Sequence, residues 1–265
     1  MAKENTVILH GIALSDATIK TGSDSTPIRA MLYVRMVDRT KLDNGKEELQ
    51  YTTAFIYSGT PKVIDKMSEI VAGDLVDIYG TLTTARVPKK RTCPVCGAVN
   101  TAMGDVTYVS PLYVCRRESG LTQEEIDAKL LERSEFSNRV YAIGNICAGL
   151  EYNDKNGTGN PALRYQMAIP RTIRVHDDTA NIETDYPWVL ATGFQALEGK
   201  DALRIGSVVY IKGHLRSKEQ VKEIQCSQCG SVFTSPDFPL MRISPHFTEY
   251  IHNCNFPDSP VTKSE

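Results

Sequence analysis

The chain has 265 residues, 41% of them apolar and 23% charged, with a formal net charge of −2. This is ordinary soluble globular composition, and no apolar run approaches the ~18 residues of a membrane span. The near-zero charge excludes a global basic field, so any binding of nucleic acid must come from a local stripe.

The opening MAKENTVILHG has no signal-peptide core, which implies a cytoplasmic chain. NTVILHG reads as a first strand, and a Ser-, Asp- and Gly-rich loop follows. RAMLYVRMVDR then alternates: Leu32, Val34 and Met36 share one face, and Tyr33, Arg35, Val37 and Arg39 the other. The second face reads either as a solvated surface or as an aromatic flanked by arginines, a stacking and phosphate platform. TKLDNGKEELQ predicts a charged hairpin loop with an Asn-Gly turn, and YTTAFIYSG a third strand. TPKVIDKMSEIVAG predicts a helix with Thr60 as N-cap, Pro61 at its first position and Gly73 as its stop. DLVDIYGTLTTA predicts a fourth strand, with Gly80 at a bulge or bend. The knuckle CPVCG and a fifth strand, DVTYVSPLYV, complete the half. Residues 115–137 break the pattern. Thr122 and Glu125 form a capping box ahead of an acidic helix whose charges should face solvent.

The order then repeats. Cys226 follows Cys93 by 133 positions (226 − 93 = 133), and the same offset relates Cys96 to Cys229, Gly73 to Gly206, Gly80 to Gly213 and Gly97 to Gly230. Asn5, Val7 and Gly11 recur as Asn138, Val140 and Gly144. An internal duplication of whole domains follows. Each half runs three strands, a helix, a strand, a knuckle and a last strand, the order of an OB-fold barrel. The expected fold is therefore mainly all-β, two tandem five-stranded OB-fold barrels, each with a short helix between strands three and four. The expected domains are 1–114, an acidic helical linker 115–137, a second barrel 138–254, and a short polar tail 255–265.

NRVYAIGNI and TGFQALEGKDALRIGSVVYIKGHLRS resemble the bacterial single-stranded DNA-binding protein family. The resemblance covers most of Asn138–Lys218 and is weaker over Asn5–Thr84. It implies OB folds that take single-stranded DNA without sequence preference, with aromatics stacking on bases and no catalysis. The family's strand-three stacking tryptophan falls, by alignment back from Gly193, at Tyr186, with Trp188 two residues on along the same face. The chain departs from the family in having two such domains, a tail without an acidic tip, and a CxxC pair in each half. The aromatic equipment also differs between halves: Gln166 stands where Tyr33 does, and Ala168 where Arg35 does. Tyr51, Phe55 and Tyr57 leave the outward face of the first half's third strand open, with Phe55 by itself assigned to the interior. The cations placed near the cleft are Arg35, Arg39, Arg86, Arg171, Arg174, Arg216 and Lys218. With Tyr33, Tyr57, Tyr186 and Trp188 they form the expected nucleic-acid-binding set.

Seven cysteines are too few, and odd in number, for a disulfide framework. CPVCG and CSQCG are zinc knuckles in form, each offering two of the four thiolates that a closed structural site needs. The second half also offers His246, His252 and Cys254, but the first only Cys115, so two matching sites cannot both be completed from cysteine and histidine. The expectation is one zinc held by Cys93, Cys96, Cys226 and Cys229 across a pseudo-two-fold axis; separate sites and metal-free or redox-active hairpin tips are the alternatives. Cys147 reads as a core thiol. His10 and His214 lie in strands and read as structural. No nucleophile elbow, P-loop or HExxH is present, so an enzyme is not expected. The reading is single-stranded DNA binding in replication, recombination or plasmid transfer, by a monomer or homodimer, with replication or conjugation proteins as further partners. An RNA-binding module and an adaptor of a replication complex are its rivals.

Overall fold

The computed structural model describes residues 3–41, 47–154, 160–171, 173 and 181–255. In chain order the elements are β1 (Asn5–Ala13), β2 (Thr18–Thr21), β3 (Pro27–Lys41), β4 (Glu47–Ser58), α1 (Pro61–Ser68), β5 (Leu75–Thr92), β6 (Val99–Glu118) and α2 (Gln123–Glu132). The second half supplies β7 (Asn138–Asn153), β8 (Ala162–Pro170), β9 (Thr184–Asp185), β10 (Trp188–Thr192), α3 (Phe194–Ala202), β11 (Val208–Lys218), β12 (Val221–Gln225), β13 (Val232–Pro236) and β14 (Leu240–His252). Among the described residues no helix is long and apolar enough to cross a membrane.

The strands close two five-stranded OB-fold barrels. In the first, β1 pairs with β3, β3 with β4, β4 with β6 in parallel, β6 with β5, and β5 with β1 again. In the second, β7, β8, β10, β14 and β11 close the same circuit. Closure brings backbones too near for a side chain at the shared glycines. A Cβ on Gly11 would lie 2.5 Å from the Arg35 carbonyl oxygen, and one on Gly144 2.6 Å from that of Ala168. Gly80 and Gly213 sit at register shifts in β5 and β11, so the bulge or bend expected at Gly80 recurs at its duplicate.

The barrels join edge to edge through β1 and β7, which run antiparallel with Val7 opposite Val140. These two valines are duplicates of each other (140 − 7 = 133), so the pseudo-two-fold axis passes between them. Each half anchors its own copy of the same device. The buried Asn5 amide donates to the Leu82 carbonyl at 2.9 Å and accepts from the Leu82 amide at 2.9 Å. Asn138 does the same with Leu215, at 2.9 and 2.8 Å. This is why the repeated motif opens on asparagine: one planar amide satisfies both backbone groups of a buried strand residue.

Several elements differ from their sequence reading. β3 and β4 extend through most of the presumed loop, pairing out to Lys41 opposite Glu47, while the Asn-Gly turn lies outside the described residues. Thr60 and Pro61 do start α1, but the helix ends at Ser68 rather than Gly73, which sits in the following turn. The arm strands are also longer than read. β5 and β6 run without a break to the knuckle, and in the second half β12 and β13 form a separate hairpin beside it. Val37 does not share the open face of Tyr33. It is fully buried with Ile12 and Leu75 beneath Ile126 and Leu130 of α2, so the helix covers that end of the sheet. The Thr122–Glu125 capping box is formed as read.

Replacing Asn138 with alanine leaves the buried Leu215 amide and carbonyl without partners. A loss of about 2 kcal/mol of unfolding free energy is expected. Urea titration of Asn5→Ala and Asn138→Ala should give similar losses, because the two sites are duplicates.

Candidate nucleic-acid interface and metal centre

The two knuckles meet. The Sγ atoms of Cys93, Cys96, Cys226 and Cys229 all lie within 4.8 Å of one another. Each cysteine faces the opposite member of the other knuckle: Cys93 to Cys229 at 3.8 Å and Cys96 to Cys226 at 3.6 Å. Ligands at about 2.3 Å in a tetrahedron sit about 3.8 Å apart, so the donor set fits one tetrathiolate-bound ion. The turns are built alike. The Cys93 amide donates to Ala98 and the Gly97 amide to Cys93, while Cys226 with Ser231 and Gly230 with Cys226 repeat the pattern. The shell is not duplicated: Asn100 donates to Cys226 Sγ at 3.6 Å, and Ser231 Oγ lies 3.3 Å from Cys93 Sγ and 2.9 Å from Cys229 Sγ. Backbone amides of Cys229 and Gln228 pull the Cys226 thiol down to about 6. Cys96 moves the other way, to about 12. Its Ala98 amide favours the thiolate, but the thiols of Cys229, Cys226 and Cys93 crowd it. Cys147 is half-buried rather than in the core, bonded to the Gln166 carbonyl at 3.4 Å, and burial raises its thiol.

The strand register settles which aromatics correspond. Tyr33 pairs with Phe55 in the first barrel and Gln166 with Trp188 in the second, so Phe55 is the duplicate of Trp188 (188 − 55 = 133). The interior assignment of Phe55 is therefore corrected. It lies half-buried on the outer face, stacked on Tyr33 with ring centroids 5.1 Å apart. Tyr57 continues this ladder and meets Tyr108 edge-on at 5.3 Å. The offset itself was the signal that could have identified Phe55.

On the second barrel Tyr186 and Trp188 share one face, as the sequence reading placed them. Pro187, Val189 and Ala191 point inward, while Tyr186, Trp188 and Leu190 point outward. Trp188 is neither a core residue nor an open platform. Its ring lies on the β7 backbone at Gly149, where a Cβ would come within 2.6 Å of it, and its face is covered by the Arg164 guanidinium, 3.8 Å from the ring centroid. Tyr186, Trp188 and Arg164 open into a cleft of ≈ 560 Å³ between the second barrel and the β5–β6 arm, which contributes Arg86. Arg86 is exposed and only 3.8 Å from Asp105.

Two of the expected phosphate ligands make ion pairs at the barrel interface. Arg171 is buried in a paired contact with Asp185, Nε–Oδ2 being 2.7 Å and Nη2–Oδ1 2.8 Å. Asp185 in turn accepts from the Thr84 amide of the first barrel at 2.7 Å. Arg216 reaches across to Asp38 at 3.3 Å and to Thr52 at 3.4 Å. Burial lowers its pKa from the usual arginine value, opposed by Asp38. Arg35 and Lys218 are exposed. The Arg39 side chain and Arg174 lie outside the described residues. His10 bonds Asp77 at 2.5 Å, and burial pushes His214 down to about 3, so both histidines fill structural places.

The circuit of strands, with a helix between the third and fourth barrel strands of each half, defines a tandem OB-fold protein. It is similar to the wild-type single-stranded DNA binding protein from Thermus aquaticus, with a TM-score of 0.57, 14% identity and 97% of each chain covered. A deletion mutant of that protein superposes at a TM-score of 0.59, with 15% identity over 97% of this chain and 99% of that one. At this identity the likeness is one of fold, and it spans both barrels. No family model and no curated protein matches the sequence.

Arg171→Ala should act on stability and not on ligand charge. Removing one partner leaves the buried Asp185 carboxylate uncompensated, for an expected loss of about 3–5 kcal/mol in chemical denaturation. A variant that unfolds like the wild type would return Arg171 to the list of free cations.

Proposed function

We propose that the chain binds single-stranded DNA without sequence preference, and without catalysis, along the outer faces of both barrels and the cleft between them. The observation that carries this reading is that the duplicated position on the third barrel strand holds an outward aromatic in each half, Phe55 and Trp188. Around them lie the stacking partners Tyr33, Tyr57 and Tyr186 and the cations Arg35, Arg86 and Lys218. Stacked aromatics beside cations suit a polymer of bases and phosphates, since every base offers a π-face. The resemblance in motif and the likeness in fold support the same reading. The role that fits it is to protect or present DNA in replication, recombination or plasmid transfer, in a reducing cytoplasm, as a monomer or homodimer. We divide the chain as two barrels, 1–114 and 138–254, joined by the linker 115–137.

Zinc is the ion we assign to the four cysteines, because tetrahedral thiolate ligation is its ordinary structural site. Bound there it would tie the tip of the β5–β6 arm to the second half, and that arm forms one wall of the cleft. Elemental analysis should find one zinc per chain. Cys96→Ser with Cys229→Ser, both exposed positions, should abolish it, lower the melting temperature and weaken oligo(dT) binding together. Zinc at two per chain would contradict the shared site.

Titration with oligo(dT) of several lengths, competed with oligo(U), tests the reading directly. A base that stacks on Trp188 must first displace the Arg164 guanidinium from the ring face, so Trp188→Ala should weaken oligo(dT) binding by at most the roughly 1–3 kcal/mol of one base–aromatic stack. Stronger binding of oligo(U) would favour an RNA ligand, and no binding at low salt would favour a protein-interaction adaptor.

A further inference from the structure

The two barrels can be compared position by position, and the places flanking the duplicated aromatic differ in charge. Around Phe55 stand Met31, Ala85 and Tyr108; the equivalent places around Trp188 hold Arg164, Lys218 and Arg242. The last pair follows from the register: Tyr108 lies opposite Thr83 in β5, and Arg242 opposite its duplicate Arg216 in β11.

Arg242 is placed at a cost. It sits directly across the ladder from another arginine, and like charges in that relation destabilise a sheet. Arg216 has Asp38 at 3.3 Å, but among the described residues no carboxylate pairs with the half-buried Arg242. Its pKa is lowered by burial first and then by the charges of Arg164 and Arg216. Arg164 lies over the Trp188 ring, and its one carboxylate neighbour among the described residues is the well-exposed Glu151 at 3.7 Å. Arg164, Lys218 and Arg242 line one groove, and Arg164 carries that groove into the cleft that holds Trp188. Of the acids bordering it, Asp237 is taken by Arg91 at 2.7 Å, while Glu151 and Glu219 are exposed. The cluster is short of negative charge, and it lies beside Trp188, whose ring face Arg164 covers.

On the reading that this face takes single-stranded DNA, we propose that Arg164, Lys218 and Arg242 form a phosphate-binding site that the equivalent positions of the first barrel, Met31, Ala85 and Tyr108, do not repeat. The first barrel holds its share of the strand through Tyr33 and Phe55 instead. The two halves of the duplication thus divide the polymer's chemistry between them.

The experiment is the salt dependence of oligo(dT) affinity. Each phosphate contact to a single strand contributes about 0.7 to the slope of log K against log salt. Arg164→Gln with Arg242→Gln should flatten the slope by about 1.4, and the exposed Lys218→Gln by about 0.7. Tyr33→Ala should weaken binding at every salt concentration and keep the wild-type slope. The melting temperature of Arg242→Gln alone should equal or exceed that of the wild type, because a like-charge pair across the ladder is relieved. Glutamine variants that keep the wild-type slope while wild type binds would overturn the site, and so would a Tyr33→Ala slope reduced as much as theirs. If the double variant fails to fold, Lys218→Gln alone decides by the same criterion. A wild-type chain with no affinity at low salt would overturn the functional reading itself, and the site with it.

Discussion

The antiparallel ladder between β1 and β7 is the constraint on which the rest of the molecule depends. Pairing the first strand of one barrel with the first strand of the other satisfies two sheet edges at once, edges that would otherwise be open to another chain. It also sets the pseudo-two-fold axis at Val7 and Val140, and every duplicated feature then falls where that axis sends it. The knuckles follow from this. Each arm grows from the strands next to the ladder, so its tip reaches the other arm's tip, and cysteines 133 positions apart converge on one point. Neither half alone could complete such a site.

The same axis places two charge clamps across the interface, and here the duplication has diverged. Asp38 and Arg171 occupy equivalent positions (171 − 38 = 133) with opposite charge. Asp38 receives Arg216 from the other barrel. Arg171 orients Asp185 within its own barrel, and Asp185 then takes the Thr84 amide of the other. Each clamp joins a barrel to its neighbour's fourth barrel strand, but the polarity is exchanged. Truncating one partner of such a buried pair is far more damaging than losing a surface pair, so these cations are held in place at the interface.

Divergence is larger on the outer faces, where the fold imposes less. The interior of both barrels is constrained by packing, and its aliphatic residues are alike in kind. The exterior need only be soluble, so one face has drifted to an aromatic ladder of Tyr33, Phe55, Tyr57 and Tyr108, and the other to a tryptophan among arginines. A chain with two barrels can present two unlike surfaces to one polymer. An assembly built from copies of a single barrel repeats the same surface on every copy.

The sequence by itself determined the duplication, the barrel order, the capping box of α2, the inward and outward alternation of β10, and the pairing of two CxxC turns. All of these rest on local periodicity or fixed spacing, which a linear chain records directly. It did not determine which cations are free. Arg171, Arg216 and Lys218 look alike along the chain, and only the folded interface shows that the first two are held by Asp185 and Asp38. Nor did it show Val37 covered by α2, because an alternating strand carries no mark of a helix that docks from 89 residues away (126 − 37 = 89). Phe55 lies between: its offset from Trp188 was present in the sequence, but only the register across β3 and β4 fixed the face it occupies. Charge pairing and the covering of a sheet face depend on contacts between residues distant in sequence, and those exist only once both barrels have closed around the β1–β7 ladder.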